Sequence, residues 1–405
     1  MAPARHVIVA GAGIGGLTAA LALARAGMRI TIFEQAEKLE ETGAGLQLSP
    51  NASRVLIALG LRDRLQPSAV APKAIRVMAG GSGREIVRIP LGEEAERRYG
   101  APYWSMHRGD LQSALVDAAR NETDIKINLG VHIEDFATHA NGVRVLGKRG
   151  HQTVDERGIA LIGADGIWSS IAERLRKQQP PTFRHRTAWR ALIPADAAAA
   201  EFREPFVHLW LGQEAHLVHY PVKAGRLINI VGIIHDEWND YGWSAAGDRS
   251  EILRHFARWA WAEKARALVA TPDRWLKWAL YDRSTPFRAG EGPVTLIGDA
   301  AHPMLPFLAQ GAAMAIEDAA VLAEALGKNL QDPADALRTY EGARWHRTMR
   351  AQQAARRQAR IYGLSGPEAF VRNLAMRAMG GERLRARYDW LYSWRSPQRF
   401  EIARV

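Results

Sequence analysis

The hydrophobic pattern at the start of the chain predicts two buried strands on either side of a helix. Residues 6–10 are mostly apolar and partly β-branched, which is typical of a buried strand. A glycine-rich turn follows, and residues 17–26 form an alanine- and leucine-rich stretch that predicts a helix. Residues 29–33 predict a second strand, which ends at Glu34. This order is that of a βαβ unit, so we expect the chain to begin with an α/β domain.

The glycine-rich turn has the spacing G-x-G-x-x-G at Gly11, Gly13 and Gly16. In this spacing the first glycine permits a tight turn, the second leaves the path of a diphosphate clear, and the third lets the helix pack closely on the strand. The free N–H groups at the start of the helix can bind the diphosphate, and Glu34 is placed to accept a hydrogen bond from a ribose hydroxyl. The turn therefore predicts a dinucleotide site, and both FAD and NAD remain open.

Two later apolar runs end in an aspartate beside a glycine, at Asp165 and at Asp299. The carboxyl ends of parallel strands form the ligand crevice of an α/β sheet, so both carboxylates are candidates for the cofactor site. Taken alone, Asp165 also fits a plain Asp-Gly turn. Gly311 opens a predicted helix whose first N–H groups are available to an anion or a carbonyl. His302 precedes a proline, and a structural turn is the preferred interpretation for it.

Two stretches with a strand-like pattern interrupt the α/β pattern, at residues 73–91 and 182–234. They predict a second sheet. In the later stretch, alternation places His216 and Tyr220 on one face of a strand and His219 on the other. A histidine and a tyrosine on one face can line a binding site or simply pack, and the pattern alone leaves both interpretations open.

The predicted elements divide the chain into three regions, and the predicted fold class is α/β plus β. We expect a discontinuous Rossmann-like domain, an inserted β-sheet domain that binds the substrate, and a C-terminal helical region. The predicted ranges are 1–71, 101–180 and 282–330 for the first region, 72–100 and 181–281 for the second, and 331–405 for the third. Within the first region, Asp110 is expected to cap a helix that runs to about Arg120.

Composition narrows the class of protein. The chain has 405 residues, of which 47% are hydrophobic and 24% charged, as in ordinary globular proteins. No uncharged apolar run reaches the roughly 18 residues of a membrane span, and no signal peptide is recognisable, so a cytoplasmic protein without membrane association is expected. The absence of cysteine excludes disulfides, thiolate metal sites and cysteine nucleophiles, and no metal site is predicted.

The net charge is +11, and part of it comes from arginines that cluster near the C-terminus. These are Arg356, Arg357, Arg360, Arg383, Arg385 and Arg387. Such a cluster can bind nucleic acid, lie on a solvated helix face or attract anionic substrates. Because no nucleic-acid motif accompanies it, nucleic-acid binding is not expected.

Three motifs stand in order along the chain: the glycine turn with Glu34, Gly-Ala-Asp-Gly at 163–166 and Gly-Asp-Ala-Ala-His-Pro at 298–303. Together they resemble the single-component flavoprotein aromatic hydroxylases, the class A flavin monooxygenases. Within that class the chain looks most like the branch of salicylate hydroxylase, 3-hydroxybenzoate 6-hydroxylase and 6-hydroxynicotinate 3-monooxygenase. The sequences that support this branch lie at 43–51, 107–111, 189–192 and 219–221. The resemblance covers nearly the whole chain.

The resemblance implies that the Rossmann-like domain binds FAD non-covalently. NADH or NADPH would be a transient co-substrate, because there is no second G-x-G-x-x-G. The class hydroxylates a phenol with NAD(P)H and O2 through a flavin hydroperoxide, so a small aromatic substrate is expected. The residues that the resemblance assigns to the cofactor are Gly11, Gly13, Gly15, Gly16, Glu34, Gln35, Gln47, Arg108, Val131, Asp165, Asp299, Gly311 and Ala312.

The resemblance also assigns residues to the substrate. His216 and Tyr220 match a histidine and a tyrosine used near the substrate in this branch, so they are predicted to be catalytic. Arg190 suits an anionic carboxylate, and Phe307 makes the pocket wall more apolar. The hydroxynicotinate enzyme has histidines where this chain has Gln47 and Phe307, which argues against that exact substrate. We therefore expect a monomer or homodimer that hydroxylates a phenolic acid similar to salicylate or hydroxybenzoate.

Three other functions remain open from the sequence. The enzyme could hydroxylate an N-heteroaromatic acid or another phenol. It could be a simple NAD-dependent dehydrogenase, although this leaves the motif at Gly298 and Asp299 without a role. It could also be a flavin-binding protein without hydroxylase activity, in which case no phenolic acid would cause NADH to be consumed.

Overall fold

The structure, a computed structural model, describes residues 5–39, 44–175, 179–240, 242–258, 260–285, 287–397 and 400. Gly43, part of one of the matching sequences, lies outside them. The strands of the described residues are β1 (His6–Ala10), β2 (Arg29–Glu34), β3 (Gly45–Leu48), β4 (Ala74–Ala79), β5 (Glu85–Pro90), β6 (Trp104–His107), β7 (Ile125–Leu129), β8 (His132–His139), β9 (Gly142–Arg149), β10 (Gln152–Gly158), β11 (Ala160–Gly163), β12 (Thr182–Pro194), β13 (Phe206–Leu211), β14 (Ala215–Val222), β15 (Leu227–His235), β16 (Ser244–Gly247), β17 (Trp275–Asp282) and β18 (Val294–Leu296).

The α-helices of the described residues are α1 (Ile14–Arg25), α2 (Pro50–Ala58), α3 (Arg62–Leu65), α4 (Gly92–Tyr99), α5 (Arg108–Asn121), α6 (Ser170–Leu175), α7 (Ala200–Arg203), α8 (Arg249–Arg258), α9 (Glu263–Ala270), α10 (Gly311–Lys328), α11 (Pro333–Tyr362), α12 (Gly366–Ala386) and α13 (Asp389–Tyr392). Short 3₁₀ turns lie at Ala195–Ala197, Gly298–Ala300 and Pro306–Leu308. Among the described residues, no helix combines the length and the hydrophobicity that a membrane crossing needs.

A five-stranded parallel sheet contains the predicted βαβ unit. Its strand order is β18-β11-β1-β2-β7, and β1 at its centre is buried along its whole length. Burial on both faces is what an uninterrupted apolar strand favours in a parallel sheet. Helices α1 and α10 pack on each other, and Leu17, Leu23 and Ile316 belong to the same core. The loops that follow β1, β11 and β18 therefore meet at one edge of the sheet, which confirms the predicted Rossmann-like arrangement.

The second sheet has eight strands in the order β16-β17-β12-β15-β14-β13-β4-β5. Neighbouring strands are antiparallel except β13 and β4, which are parallel. One face packs on α8 and α9 through an aromatic core that includes Trp189, Trp210 and Phe256. The strands come from residues 74–90 and 182–282, close to the ranges expected for the inserted domain. The division of the chain into three regions stays a prediction.

The C-terminal region packs back on both sheets. Helix α11 is a long helix beside α10, and α12 lies against β5. The aromatic segment near the end of the chain is anchored by Tyr392, whose ring lies edge-on to Tyr99 and Tyr103 at 5.5 and 6.1 Å between centroids. Edge-on packing is a favoured geometry for buried aromatic rings.

The start of α5 differs from the expectation. The helix begins at Arg108, and the residue at its N-cap is His107, whose Nδ1 accepts a hydrogen bond from the N–H of Gly109 at 3.2 Å. Asp110 lies inside the first turn, and its carboxylate pairs with Lys223 at 2.8 Å. The predicted cap at Asp110 was therefore wrong, because the helix begins at Arg108 and His107 caps it, whereas Lys223, in the turn after β14, pairs with Asp110.

Candidate active site

A cavity of about 860 Å³ lies between the loops at the carboxyl edge of the parallel sheet and one face of the large sheet, with α10, α11 and α12 as further walls. The predicted site residues that line it are Gly13, Gly15, Gln47, Arg108, Arg190, His216, Tyr220, Asp299, Phe307, Gly311 and Ala312. The predicted residues outside its lining are Gly11, Gly16, Glu34, Gln35, Val131 and Asp165. The cavity thus brings together most of a site that the sequence spreads over three hundred residues.

The glycine turn is crowded on its inner side and open on the side of the cavity. Gly11 has φ +104°, and a Cβ there would lie 2.5 Å from the carbonyl oxygen of Ala164. A Cβ on Gly16 would lie 1.9 Å from the carbonyl oxygen of Gly11, so only glycine permits this contact between helix and strand. A Cβ on Gly13 would meet nothing within 4 Å. This open position beside the start of α1 fits the approach of a diphosphate.

Glu34 holds the glycine turn through its carboxylate. Its oxygens accept hydrogen bonds from the N–H of Ala12 at 2.7 Å and from that of Ala36 at 2.9 Å. Gln35 follows with an exposed side chain, and the N–H of buried Val131 donates to the carbonyl of Glu34 at 2.8 Å. The three residues lie together at the end of β2, and each carboxylate oxygen keeps a lone pair for a ribose hydroxyl.

Asp165 is tied into the protein rather than directed into the cavity lining. One carboxylate oxygen accepts from the Ser170 hydroxyl at 3.2 Å and from the N–H of Ile171 at 3.3 Å. The other oxygen is buried and has no hydrogen-bond partner among the described residues. Burial raises the pKa of Asp165. An unsatisfied buried acceptor is costly, so a donor from a bound ligand would be favourable here.

Arg283 connects the two aspartate turns, and sequence reasoning missed it because no motif marks its position. Its guanidinium donates to the carbonyl of Ile167 at 3.0 Å and to that of Ala300 at 2.8 Å. These carbonyls belong to the turns that follow β11 and β18. Arg283 is 5% exposed and comes from the segment after β17, so it fixes the two turns relative to the large sheet.

Asp299 lines the cavity, and protein surrounds its carboxylate on the other sides. Its side chain is exposed to the cavity, and the surrounding protein raises its pKa by withholding solvent from the charged form. His302, Arg108 and Arg283 oppose this rise through their charges. The carboxylate is close to the start of α10, since a Cβ on Gly311 would lie 3.7 Å from its Oδ1. Asp299 therefore faces the same space as the first N–H groups of α10.

Asp318, on α10, holds the turn that presents Asp299. Its carboxylate accepts from the N–H of Gly298 at 2.9 Å, from Nε2 of His302 at 2.5 Å and from Nε of Arg344 at 2.6 Å. Burial favours a high pKa for Asp318, but the His302 and Arg344 charges lower it to about 2. This bond places His302 in a structural turn, in agreement with the preferred interpretation. Sequence reasoning missed Asp318, although an acidic pair inside an apolar helix is a detectable signal.

His216 faces the cavity from β14 and is almost fully buried. Its ring lies 5.1 Å from that of Phe307 and 5.2 Å from that of Tyr362, between centroids. Neither ring nitrogen has a hydrogen bond to a described residue. Burial, helped by the charge of Arg186, lowers the pKa of His216 to about 3, so the imidazole is neutral at pH 7. A neutral imidazole offers one donor and one acceptor to a ligand in the cavity.

Tyr220 shares the cavity face with His216, as the alternation predicted. Burial raises the pKa of its phenol to about 12, against the opposing effects of Arg190 and of a hydrogen bond with Gln47. The amide oxygen of Gln47 also accepts from the Tyr103 hydroxyl at 2.6 Å. Gln47, expected to contact the cofactor, thus lies between Tyr103 and Tyr220 in the cavity lining.

Arg190 places a cation in the same part of the cavity. Its guanidinium lies over the ring of Trp278, 4.9 Å from the centroid, and its buried Nε has no hydrogen-bond partner among the described residues. Burial lowers the pKa of Arg190. A buried guanidinium with an unsatisfied donor is stabilised by an anionic ligand.

Comparison with known proteins agrees with this geometry. The FAD binding domain family matches residues 4–357. The 3-hydroxybenzoate 6-hydroxylase 1 of Aquipseudomonas alcaligenes is 34% identical over 397 residues, which cover 98% of this chain and 99% of that protein. The 3-amino-4-hydroxybenzoate 2-monooxygenase of Streptomyces cremeus is 36% identical over 376 residues, with 92% of each chain covered. The crystal structure of Klebsiella pneumoniae HpxO complexed with FAD and uric acid superposes with a TM-score of 0.82 and 25% identity, covering 95% of each chain.

The chain therefore belongs to this FAD-binding family, and its predicted class, an FAD-dependent aromatic monooxygenase, is confirmed. FAD is confirmed as the cofactor over NAD alone. These matches rule out a simple NAD-dependent dehydrogenase. That function also left the motif at Gly298 and Asp299 without a role.

Proposed function

We propose that this enzyme hydroxylates a phenolic aromatic acid, with NADH or NADPH as reductant and O2 as oxidant. The relatives named above act on hydroxybenzoates that carry a carboxylate and a phenol, by their names. A cavity that binds such an acid needs a partner for each group. A cytoplasmic location, a monomeric or dimeric state and the division into three regions belong to the same proposal.

The observation that carries the proposal is the guanidinium of Arg190, whose Nε has no hydrogen-bond partner among the described residues and which lies beside Tyr220 in the same cavity as His216. A carboxylate on Arg190 would satisfy the buried Nε and neutralise the cation. The phenol of the same ring would then lie among the groups that Tyr220, Gln47 and His216 present. Phe307 and the apolar wall exclude water from the reacting ring.

The residues present fit FAD. We assign its diphosphate to the open side of Gly13, its adenosine ribose to Glu34, and its ring to the start of α10 at Gly311 and Ala312, with Asp299 and Arg108 alongside. When bound, FAD supplies the redox chemistry that activates O2 for attack by the phenol.

The chain's own residues orient the phenol and handle its proton. Neutral His216 accepts the phenolic proton or a hydrogen bond from it, because an electron-rich phenolate is the better nucleophile. Tyr220, with its raised pKa, stays protonated and donates a hydrogen bond to the substrate. His216 is thus a candidate general base whose low pKa suits proton acceptance only in concert with the attack.

The proposal is tested with a panel of benzoate and pyridine derivatives, scored for NADH oxidation with and without hydroxylated product. We expect coupled product formation with a hydroxybenzoate. Coupled turnover only with pyridine derivatives would instead support the N-heteroaromatic alternative. A yellow protein that oxidises no NADH with any compound in the panel would support a flavin-binding protein without hydroxylase activity.

Gly13→Val tests the assignment of the diphosphate. The position has ordinary negative φ and open space, so valine is accommodated by the protein itself but occupies the diphosphate path. We expect a folded, colourless protein that stays colourless after incubation with FAD. Gly342→Val is the matched control, since this glycine also has nothing within 4 Å but lies on the exposed side of α11. A yellow Gly13→Val protein would contradict the assignment.

A further inference from the structure

The arginines of the C-terminal region divide into paired and unpaired groups. The paired ones form ion pairs with carboxylates that stabilise the packing of the helices. They include Arg344 and Arg347 with the buried Glu317, Arg356 with the buried Asp282, and Arg385 with the exposed Glu94 and Glu382. Part of the arginine cluster seen in the sequence is therefore structural.

Three other arginines, Arg350, Arg357 and Arg387, are exposed and line the cavity. None of them forms an ion pair with a described residue. Arg350 lies over the ring of Trp390, 4.0 Å from the centroid, and Arg387 donates to the sulfur of Met379 at 3.6 Å. Both contacts hold the side chain in place and leave its charge uncompensated.

The positions on α11 show that this arrangement is a continuous surface. Residues 350, 353, 354, 357, 358 and 361 all line the cavity, and steps of three and four residues place them on one helix face. The face begins with two arginines and two glutamines and ends with Ile361 and Tyr362. Arg387 joins it from the residue after α12. The three arginines thus form a basic rim on this wall of the cavity.

We propose that Arg350, Arg357 and Arg387 form an anion-selecting entrance to the cavity. It draws in the anionic group of a reactant, either the carboxylate of an aromatic acid or the diphosphate of a nicotinamide dinucleotide. Unpaired cations at the mouth of a low-dielectric cleft focus the field and raise association rates by about 10- to 1,000-fold, and salt weakens the effect. The identity of the reactants rests on the proposed function, whereas the entrance itself is measured through binding alone.

The experiment uses the FAD-loaded enzyme and follows the flavin absorbance in a stopped-flow mixer. The probes are 3-hydroxybenzoate and its neutral analogue 3-hydroxybenzamide. We expect the double variant Arg357→Gln, Arg387→Gln to associate with the acid about 3- to 10-fold more slowly at low ionic strength, and to lose most of the salt dependence. The amide should associate at the wild-type rate. Arg357→Lys keeps the charge and should retain most of the wild-type rate.

A second arm measures how the rate of anaerobic flavin reduction depends on NADH concentration. If the double variant is slower only in flavin reduction by NADH, the entrance acts on the diphosphate. If it is slower only in association with the acid, the entrance acts on the carboxylate. Either outcome supports the entrance. The matched control is Arg360→Gln, on the same helix, exposed and outside the cavity lining. It removes one charge and should change neither arm.

Three outcomes would overturn the entrance: unchanged rates for both anions in the double variant, an equal loss for the amide, or an equal loss in Arg360→Gln. A wild-type enzyme whose flavin responds to neither anion would overturn it too. By contrast, salt-dependent binding of the acid without any hydroxylated product would refute the proposed function and leave the entrance standing.

Discussion

Two histidines on β14 lie three residues apart and have opposite surroundings. His216 faces the cavity between aromatic rings, with both nitrogens available to a ligand. His219 is fully buried on the other face of the sheet, where its Nε2 accepts a hydrogen bond from the indole of Trp210 at 3.0 Å. Its ring stacks on that of His208, with centroids 4.4 Å apart and 7° between the planes.

The comparison separates a histidine that packs in the core from one that faces the cavity. Burial lowers the pKa of both histidines, so the shift alone does not distinguish them. What differs is the hydrogen-bond partner. His219 accepts a hydrogen bond from Trp210 in the core, whereas His216 has no hydrogen-bond partner among the described residues and faces the cavity. The face of the strand, set by alternation, decides which surroundings each histidine has.

The largest effect is expected when His216→Ala and His219→Ala are compared for the ratio of hydroxylated product formed to NADH consumed. If His216 assists removal of the phenolic proton, its loss should slow hydroxylation by about 100- to 10,000-fold while flavin reduction by NADH survives. NADH would then be consumed with release of hydrogen peroxide instead of hydroxylated product. The measurement is the ratio of product formed to NADH consumed.

His219→Ala should have the opposite profile. It removes the acceptor of Trp210 and should lower the free energy of unfolding by about 1–3 kcal/mol while leaving that ratio unchanged. Equal ratios in the two variants would remove the distinction between the two faces of β14.

A smaller effect is expected from Tyr220→Phe, which removes the hydroxyl and keeps the ring. The Kd of the substrate should rise by about 5- to 150-fold, corresponding to about 1–3 kcal/mol for an unpaired buried polar group. Tyr99→Phe is the matched control, because its hydroxyl binds Asp389 at 2.7 Å outside the cavity lining. It should change stability and leave the Kd unaltered. An unchanged Kd in Tyr220→Phe would make Tyr220 a packing residue.

The smallest effect is expected on the pH dependence of the free energy of unfolding, through His208, which stacks on His219. Burial lowers the pKa of His208 to about 3, with the charge of Arg76 as a further cause. Between pH 6.5 and pH 3 His208 is therefore protonated in the unfolded chain and neutral in the folded protein. The free energy of unfolding falls as the pH drops from about 6.5 towards 3. The slope is at most about 1.4 kcal/mol per pH unit for this group. Denaturant unfolding at pH 7 and pH 5 should show a smaller loss for His208→Phe than for the wild type; equal losses would show that His208 titrates normally.

Parts of the site that depend on neighbours in sequence were predictable. The glycine turn follows from steric rules that act within a few residues, and the structure has the crowding at Gly11 and Gly16 that those rules require. The shared face of His216 and Tyr220 follows from strand periodicity. The cap of α5 was missed because the helix begins at Arg108 and the side chain of His107 caps it, while Asp110 pairs with Lys223, far away in sequence.

The sequence by itself determined the βαβ unit, the glycine turn and the second sheet, because these depend on local backbone sterics and on hydrophobic periodicity. The resemblance of its three motifs to a known family indicated an FAD-dependent monooxygenase. Only the tertiary structure decided which charges are satisfied. Arg356 binds Asp282 and Asp318 binds His302, Arg344 and the N–H of Gly298, whereas Arg190 and Arg357 have no anionic partner among the described residues. Ion pairing depends on distances between residues that the chain separates by tens to hundreds of positions, and those distances exist only after folding.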